Sequence, residues 1–172
     1  MKRILMLLAE KNFRDIEYIV PRAFFEQNGA EVKTASTSDS SIGKYGYEVK
    51  NDFRLDMIKP SDFDAIFIVG GGGSLQYKDD DLAKTLVTSF LDLQKPTAAI
   101  CAAPQNLLHW GLGRNREVTG WNEDGVFYDL AVKVGAIPKV SESVVKDGLM
   151  ITGNGPSASE LTAKVLLGAL GI

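Results

Sequence analysis

The stretch RILMLLA, residues 3–9, is apolar from Ile4 to Ala9 without a polar break. A strand with one wet face alternates polar and apolar residues, so an unbroken run reads as a strand covered on both sides. Such a strand needs helices above and below its sheet. The rest of the chain supplies them in alternation. DIEYIVPRAFFEQNG (15–29) has near-helical apolar spacing and ends on Gly29, a C-cap signal. AEVKTAS (30–36) reads as a second strand. SIGKYGYEVK (41–50) carries glycine turns and reads as a small hairpin. FDAIFIVGGGG (63–73) is a strand that breaks into a glycine turn. DDLAKTLVTSFLDLQ (80–94) is a helix with aspartates at its N-terminus. PTAAI (96–100) is a strand that runs into Cys101. PQNLLHWGL (104–112) opens a helix on proline. EVTGW, EDGVFYDLAVKVG, SVVKDGLMIT and PSASELTAKVLLGALG complete the pattern as strand, helix, hairpin and closing helix.

Strands alternating with helices predict a three-layer α/β/α sandwich on a largely parallel sheet. The 172 residues suit one domain, 1–172, able to bury a core without staples. In such sheets ligands bind beyond the C-terminal strand ends. That edge is expected to gather Gly70 to Gly73, Cys101, Gly120 to Asn122 and Gly153 to Gly155.

Charge and cysteine content narrow the function. The formal net charge is −3 and no basic stripe is visible, so nucleic acid is not an expected partner. A single cysteine forms no internal disulfide and no cysteine-rich metal site, and it suits a reducing compartment. The N-terminal apolar run is short and is followed at once by Glu10 and Lys11, unlike a signal peptide. Nothing approaches the length of a membrane span. The expectation is a cytoplasmic protein with no membrane partner, no metal and no cofactor.

Two glycine motifs invite cofactor readings that fail on spacing. VGGGGS (69–74) lacks the lysine and hydroxyl residue of a phosphate loop. GNGPSA (153–158) fits the loose dinucleotide pattern, but only a terminal helix follows it. The better functional reading of Gly71 and Gly72 is a turn whose backbone N–H groups form an oxyanion hole.

Cys101 has two readings. It sits where a strand turns into a helix, with Ala99 and Ala103 two positions away on either side, as in a nucleophile elbow. The helix beginning near Pro104 would then aim its positive end at the sulfur and favour thiolate. The alternative is an inert cysteine packed in the core. The only histidine, His109, lies eight positions later. If both sit on one helix they are about 12 Å apart along its axis, so within one chain His109 is not the base for Cys101, and only a neighbouring chain could bring it close.

The ordered set RILMLLAE, FRDIEYIVP, GKYGYEVKND, AIFIVGGGG, AAICAAPQNLL and VVKDGLMITGNGPSAS resembles the ThiJ/PfpI superfamily over nearly the whole chain. That superfamily includes the parkinsonism-associated deglycase and the archaeal intracellular proteases. The resemblance implies a flavodoxin-like sandwich of the class I glutamine amidotransferase-like type. It implies that Cys101 is the reactive thiol, Glu17 the carboxyl beside it, and Gly72 with Ala102 the anion hole. Gly71, Trp121, Asn122, Gly153 and Asn154 would line the pocket. Ile16 and Ile19 beside Glu17 are apolar, which suggests partial burial of that segment. Dimers or larger homo-oligomers are implied as well.

The departures are specific. Ala102 stands where protease-like members have histidine, Trp121 or Asn122 where deglycase-like members have histidine, and Gly153 and Asn154 where serine and arginine are common. Gly70 takes the place of a proline. The pocket is therefore expected to lack basic, anion-binding side chains. Trp121 is either an apolar wall or part of the core. Three functions follow as expectations. Cys101 and Glu17 act on a small reactive carbonyl or a protein adduct, as a glyoxalase or deglycase does. Alternatively, Cys101 is a redox-sensing or protective thiol. An intracellular cysteine peptidase is disfavoured by Ala102.

Overall fold

A computed structural model describes residues 1–172. The strands are β1 (Arg3–Leu7), β2 (Lys11–Phe13), β3 (Glu31–Ser36), β4 (Ser40–Gly43), β5 (Glu48–Lys50), β6 (Phe53–Arg54), β7 (Ala65–Ile68), β8 (Thr97–Ile100), β9 (Glu117–Val118), β10 (Ile137–Pro138), β11 (Val144–Asp147) and β12 (Met150–Gly153). The helices are α1 (Asp15–Gln27), α2 (Asp81–Asp92), α3 (Pro104–His109), α4 (Val126–Val134) and α5 (Ser159–Leu170). Seven strands form the central sheet in the order β11-β12-β8-β7-β1-β3-β6. All pairs are parallel except the β11–β12 hairpin at the edge.

The unbroken apolar run of β1 is explained by its position. Leu5 and Leu7 point into one core, with α2, α3 and α4 over that face; Ile4 and Met6 point into the other, under α1 and α5. Successive strand side chains alternate faces, so a central strand with helices on both sides must be apolar throughout. Strands β7 and β8 follow the same rule, with Ile66, Ile68 and Ala99 on one side and Phe67, Ala98 and Ile100 on the other. Removing a side chain the size of Phe67 from such a core would cost about 3–5 kcal/mol.

The hairpin read at 41–50 is present as β4 and β5, antiparallel. It is joined by β2, a three-residue strand that sequence periodicity is too short to reveal, giving a second small sheet β2-β4-β5. This sheet stitches the β1–α1 connection to the hairpin turn. The N–H of Lys44 donates to the Phe13 carbonyl at 2.8 Å. The buried Asp15 carboxylate, in the first turn of α1, accepts from the N–H groups of Tyr45 at 3.0 Å and Tyr47 at 2.9 Å. The glycine turn also holds more order than its composition suggests, since Gly72–Tyr77 forms two turns of 3₁₀ helix. No helix is long and apolar enough to cross a membrane.

Candidate active site

Cys101 sits directly beyond β8 with φ +62°, a conformation a non-glycine residue adopts at a cost of about 1–2 kcal/mol. Three backbone hydrogen bonds hold the bend. The Cys101 N–H donates to Gly153 at 2.9 Å, the Trp121 N–H donates to the Cys101 carbonyl at 2.8 Å, and the Ala103 N–H donates to Ile100 at 3.0 Å. The thiol is half-buried at the floor of a cavity of about 840 Å³. The bend that the elbow reading requires is observed, and Cys101 both lines the cavity and packs against the core under α1 and α5.

Glu17 lies on α1 and is fully buried beside the thiol. The hint offered by its neighbours runs the opposite way: Ile16 and Ile19 face outward, 45% and 40% exposed, while the carboxyl is inside. Neither Glu17 oxygen has a hydrogen bond of good geometry. The Cys101 thiol and the Gly70 N–H are its nearest donors. Burial dominates and raises its pKa from 4.5 to about 7, against the opposing pull of Cys101, Arg14 and Gly70. Gly70 is what lets the two groups meet. A Cβ there would collide with Glu17 Oε2 and the Ile100 carbonyl and stand 2.7 Å from Cys101 Cβ. The glycine in the proline's place is thus a steric requirement of this pocket.

The sulfur is not a ready-made thiolate. Burial first, then the Glu17 charge and hydrogen bond, push its pKa up to about 12. The N–H groups of Gly71 and Ala102 face the sulfur and pull the other way without prevailing. The sequence expectation of a thiolate stabilised by the following helix is corrected here, because α3 has only six residues and desolvation outweighs it. What the pair provides is one shared proton system. Near pH 7 the first proton leaves, and the second is held by the thiol up to about pH 12.

The expected loops do converge. Gly71, Gly72, Ala102, Trp121, Asn122 and Asn154 all line the cavity. The glycine-turn N–H that faces the sulfur is Gly71's, while Gly72 lines the cavity beside it. One assignment needs correction. Gly153 is not a lining residue: it ends β12, fully under cover, and a Cβ on it would collide with Thr162 Oγ1. Trp121 is half-buried and lines the cavity, so it acts as a wall. Asn122 spends its Oδ1 on the Tyr128 N–H, at 2.8 Å, which fixes the loop before α4. His109 is exposed at the far end of α3. No three His, Cys, Asp or Glu side chains cluster as a metal site would need.

The expectation of a pocket without basic groups is wrong. Arg14 and Lys44 both line it, as do Glu123 and Asp124. They come from the β1–α1 connection and the β4–β5 turn, and from the loop before α4. The rule that ligands gather at C-terminal strand ends applies to β1 as well, so Arg14 was within reach of sequence reasoning. Lys44 was not, because only the stitching of the small sheet brings that turn to the pocket.

A family model for the DJ-1/PfpI family matches residues 2–168. The chain belongs to this family. A protein from Archaeoglobus fulgidus is 36% identical over 152 residues, covering 88% of each chain. A Pyrococcus horikoshii protein named a deglycase is 31% identical over 153 residues, covering 88% of this chain and 90% of its own. Among solved structures, a ThiJ/PfpI domain protein from Brachyspira murdochii superposes with a TM-score of 0.92 at 29% identity, over 98% of this chain and 96% of that one. The flavodoxin-like sandwich of the DJ-1/PfpI family is thus the fold of this chain.

Proposed function

We propose that the protein is a cysteine-dependent enzyme that acts on α-oxoaldehydes or the early adducts they form. The single observation that carries this reading is the pairing, at the floor of an open cavity, of a bent Cys101 with a fully buried Glu17 whose pKa is about 7. A base works best when its pKa lies near the operating pH. Glu17 therefore does for Cys101 what a histidine does in other thiol enzymes. As the sulfur attacks the aldehyde carbon, an S–C bond forms, the thiol proton passes to Glu17, and the carbonyl electrons move onto oxygen. The N–H groups of Gly71 and Ala102, which face the sulfur, are the donors that would hold that oxygen's charge. Glu17 returns its proton to the oxygen, giving a hemithioacetal. Removal of the carbon-bound hydrogen from C1 and reprotonation at C2 then give a thioester. Water cleaves the thioester to a 2-hydroxy acid and restores the thiol. The resemblance to a protein named a deglycase supports the same substrate class.

The test is methylglyoxal consumption with the wild-type protein, Cys101→Ser and Glu17→Gln. Both variants should lose turnover by at least a hundredfold. Undiminished turnover in Cys101→Ala would end the proposal.

The same geometry favours one second reading, a redox-responsive thiol. A protonated Glu17 and two backbone N–H groups are suited to stabilising a sulfinate at Cys101. Mild peroxide followed by intact-mass measurement separates the two readings. A gain of two oxygens at Cys101 without carbonyl turnover supports the sensor. The peptidase reading has no such support, with Ala102 beside the nucleophile and His109 exposed elsewhere.

A further inference from the structure

Arg14 and Lys44 are the two cations of the cavity, and neither forms an ion pair. No carboxylate lies within 4.0 Å of either, although eight other ion pairs are formed across the surface. Arg14 Nε is buried and has no hydrogen-bond partner. Nε is sealed from the cavity, so a ligand oxygen would meet the part of the guanidinium that lines it. Both cations flank one aromatic ring: the Arg14 guanidinium carbon stands 5.0 Å and Lys44 Nζ 5.7 Å from the centre of Tyr45.

The placement is built rather than incidental. Arg14 is tied by its own N–H to the Gly70 carbonyl at 3.0 Å, next to the reactive pair. Lys44 rides on a turn that the Asp15 carboxylate holds through two backbone N–H groups. The turn packs closely there: a Cβ on Gly43 would stand 2.5 Å from the Asp15 carboxyl carbon. Asp15 is itself almost completely buried.

The pocket is also polarised. Cys101 follows β8. Arg14 lies at the end of the connection that leaves β1, a strand two places along the sheet from β8, beyond β7. Glu123 and Asp124 come from the loop whose base, Thr119, bonds to Thr152 of β12, on the other side of β8. An anion entering the cavity is repelled from the β12 side and attracted to the β1 side.

The geometry points to a substrate with a negative charge on the arm away from the reacting aldehyde: an α-oxoaldehyde bearing a carboxylate, which Arg14 and Lys44 bind while Cys101 attacks the aldehyde carbon. This inference rests on the carbonyl chemistry proposed above and adds the substrate's charge and its orientation. A bidentate carboxylate contact suits the planar guanidinium, and Lys44 adds a point charge at the mouth. The reacting step is the addition already described, with the carboxylate unchanged by it.

Two measurements test the inference. In the first, kcat/KM is compared for 4,5-dioxovalerate, which carries the carboxylate, and methylglyoxal, which does not. The wild-type protein should prefer 4,5-dioxovalerate by at least tenfold, and the preference should shrink as salt rises from 20 to 300 mM, in line with screening of about 8 Å at physiological ionic strength. Lys44→Gln and Arg14→Gln should each cut the ratio by about tenfold; Lys44 is exposed, so its variant tests the charge without threatening the fold. In the second, Cys101→Ser, which has no reactive sulfur, is titrated with 4-oxovalerate and with its uncharged amide. Tryptophan fluorescence from Trp121 should respond to the acid and not to the amide, and Lys44→Gln should abolish the response. Equal kcat/KM for the two aldehydes, or equal binding of acid and amide, overturns the anion site while leaving the carbonyl chemistry standing. Acid-selective binding with neither aldehyde turned over removes the carbonyl chemistry and keeps the anion site.

Discussion

Glu17→Gln separates what the carboxyl costs from what it does. The folded-state pKa is about 7 against 4.5 for the free group, and burial is the main cause. Both states hold the proton below pH 4.5, so the group leaves stability intact there. As pH rises through 4.5 the unfolded chain ionises while the folded one stays protonated, and stability falls until the folded group ionises near pH 7. At about 1.4 kcal/mol per pH unit the loss reaches about 3 kcal/mol. That is a large share of the roughly 5–15 kcal/mol that holds a domain together. Glutamine fills the same space and carries no charge. The titrating groups not coupled to Glu17 are common to the two proteins and cancel in the comparison. Urea unfolding at pH 5 and pH 8 should therefore show the wild type losing about 2.5 kcal/mol more than Glu17→Gln between the two conditions, the rest of the loss falling below pH 5. At pH 8 the variant should be the more stable protein and an inactive one. Parallel losses in both proteins would mean that Glu17 does not hold a proton in the fold, and the base assigned to Cys101 would go with it.

The thiol's reactivity should follow the same pair. Iodoacetamide alkylation of Cys101 should rise through a step near pH 7, as Glu17 becomes able to accept the thiol proton, and rise again only toward pH 12. Glu17→Gln should erase the first step, whereas a single titration near 8.5 in both proteins would contradict the coupling. Asp15→Ala should cost about 2–3 kcal/mol, because two backbone N–H groups lose a charged acceptor. Hydrogen exchange at Tyr45 and Tyr47 should quicken in that variant, and unchanged protection would show that the turn holds itself.

The layered architecture was legible in the residues because it follows from periodicity and turn chemistry, both local. β1 must be apolar on both faces and is written that way from Ile4 onward. Gly29 adopts φ +80° just after α1, and Gly135 and Gly171 cap α4 and α5 in the same left-handed region. Cys101 was recognisable because the small residues that relieve a sharp bend stand beside it in the chain. The short strands β2, β6 and β10 were not visible, since two or three residues carry no usable period.

Sequence by itself determined the sandwich, the bend at Cys101 and the order in which loops reach the pocket rim, because each depends on neighbours within one turn or one strand. Only the tertiary structure decided that Glu17 lies inside while Ile16 and Ile19 lie outside. It alone set the thiol's proton affinity, which depends on how much water the fold removes. It alone brought Arg14 and Lys44 to the same cavity, 30 positions apart in the chain, through a sheet stitched by Asp15. Burial and long-range electrostatics are properties of the packed chain as a whole, and no local pattern of residues encodes them.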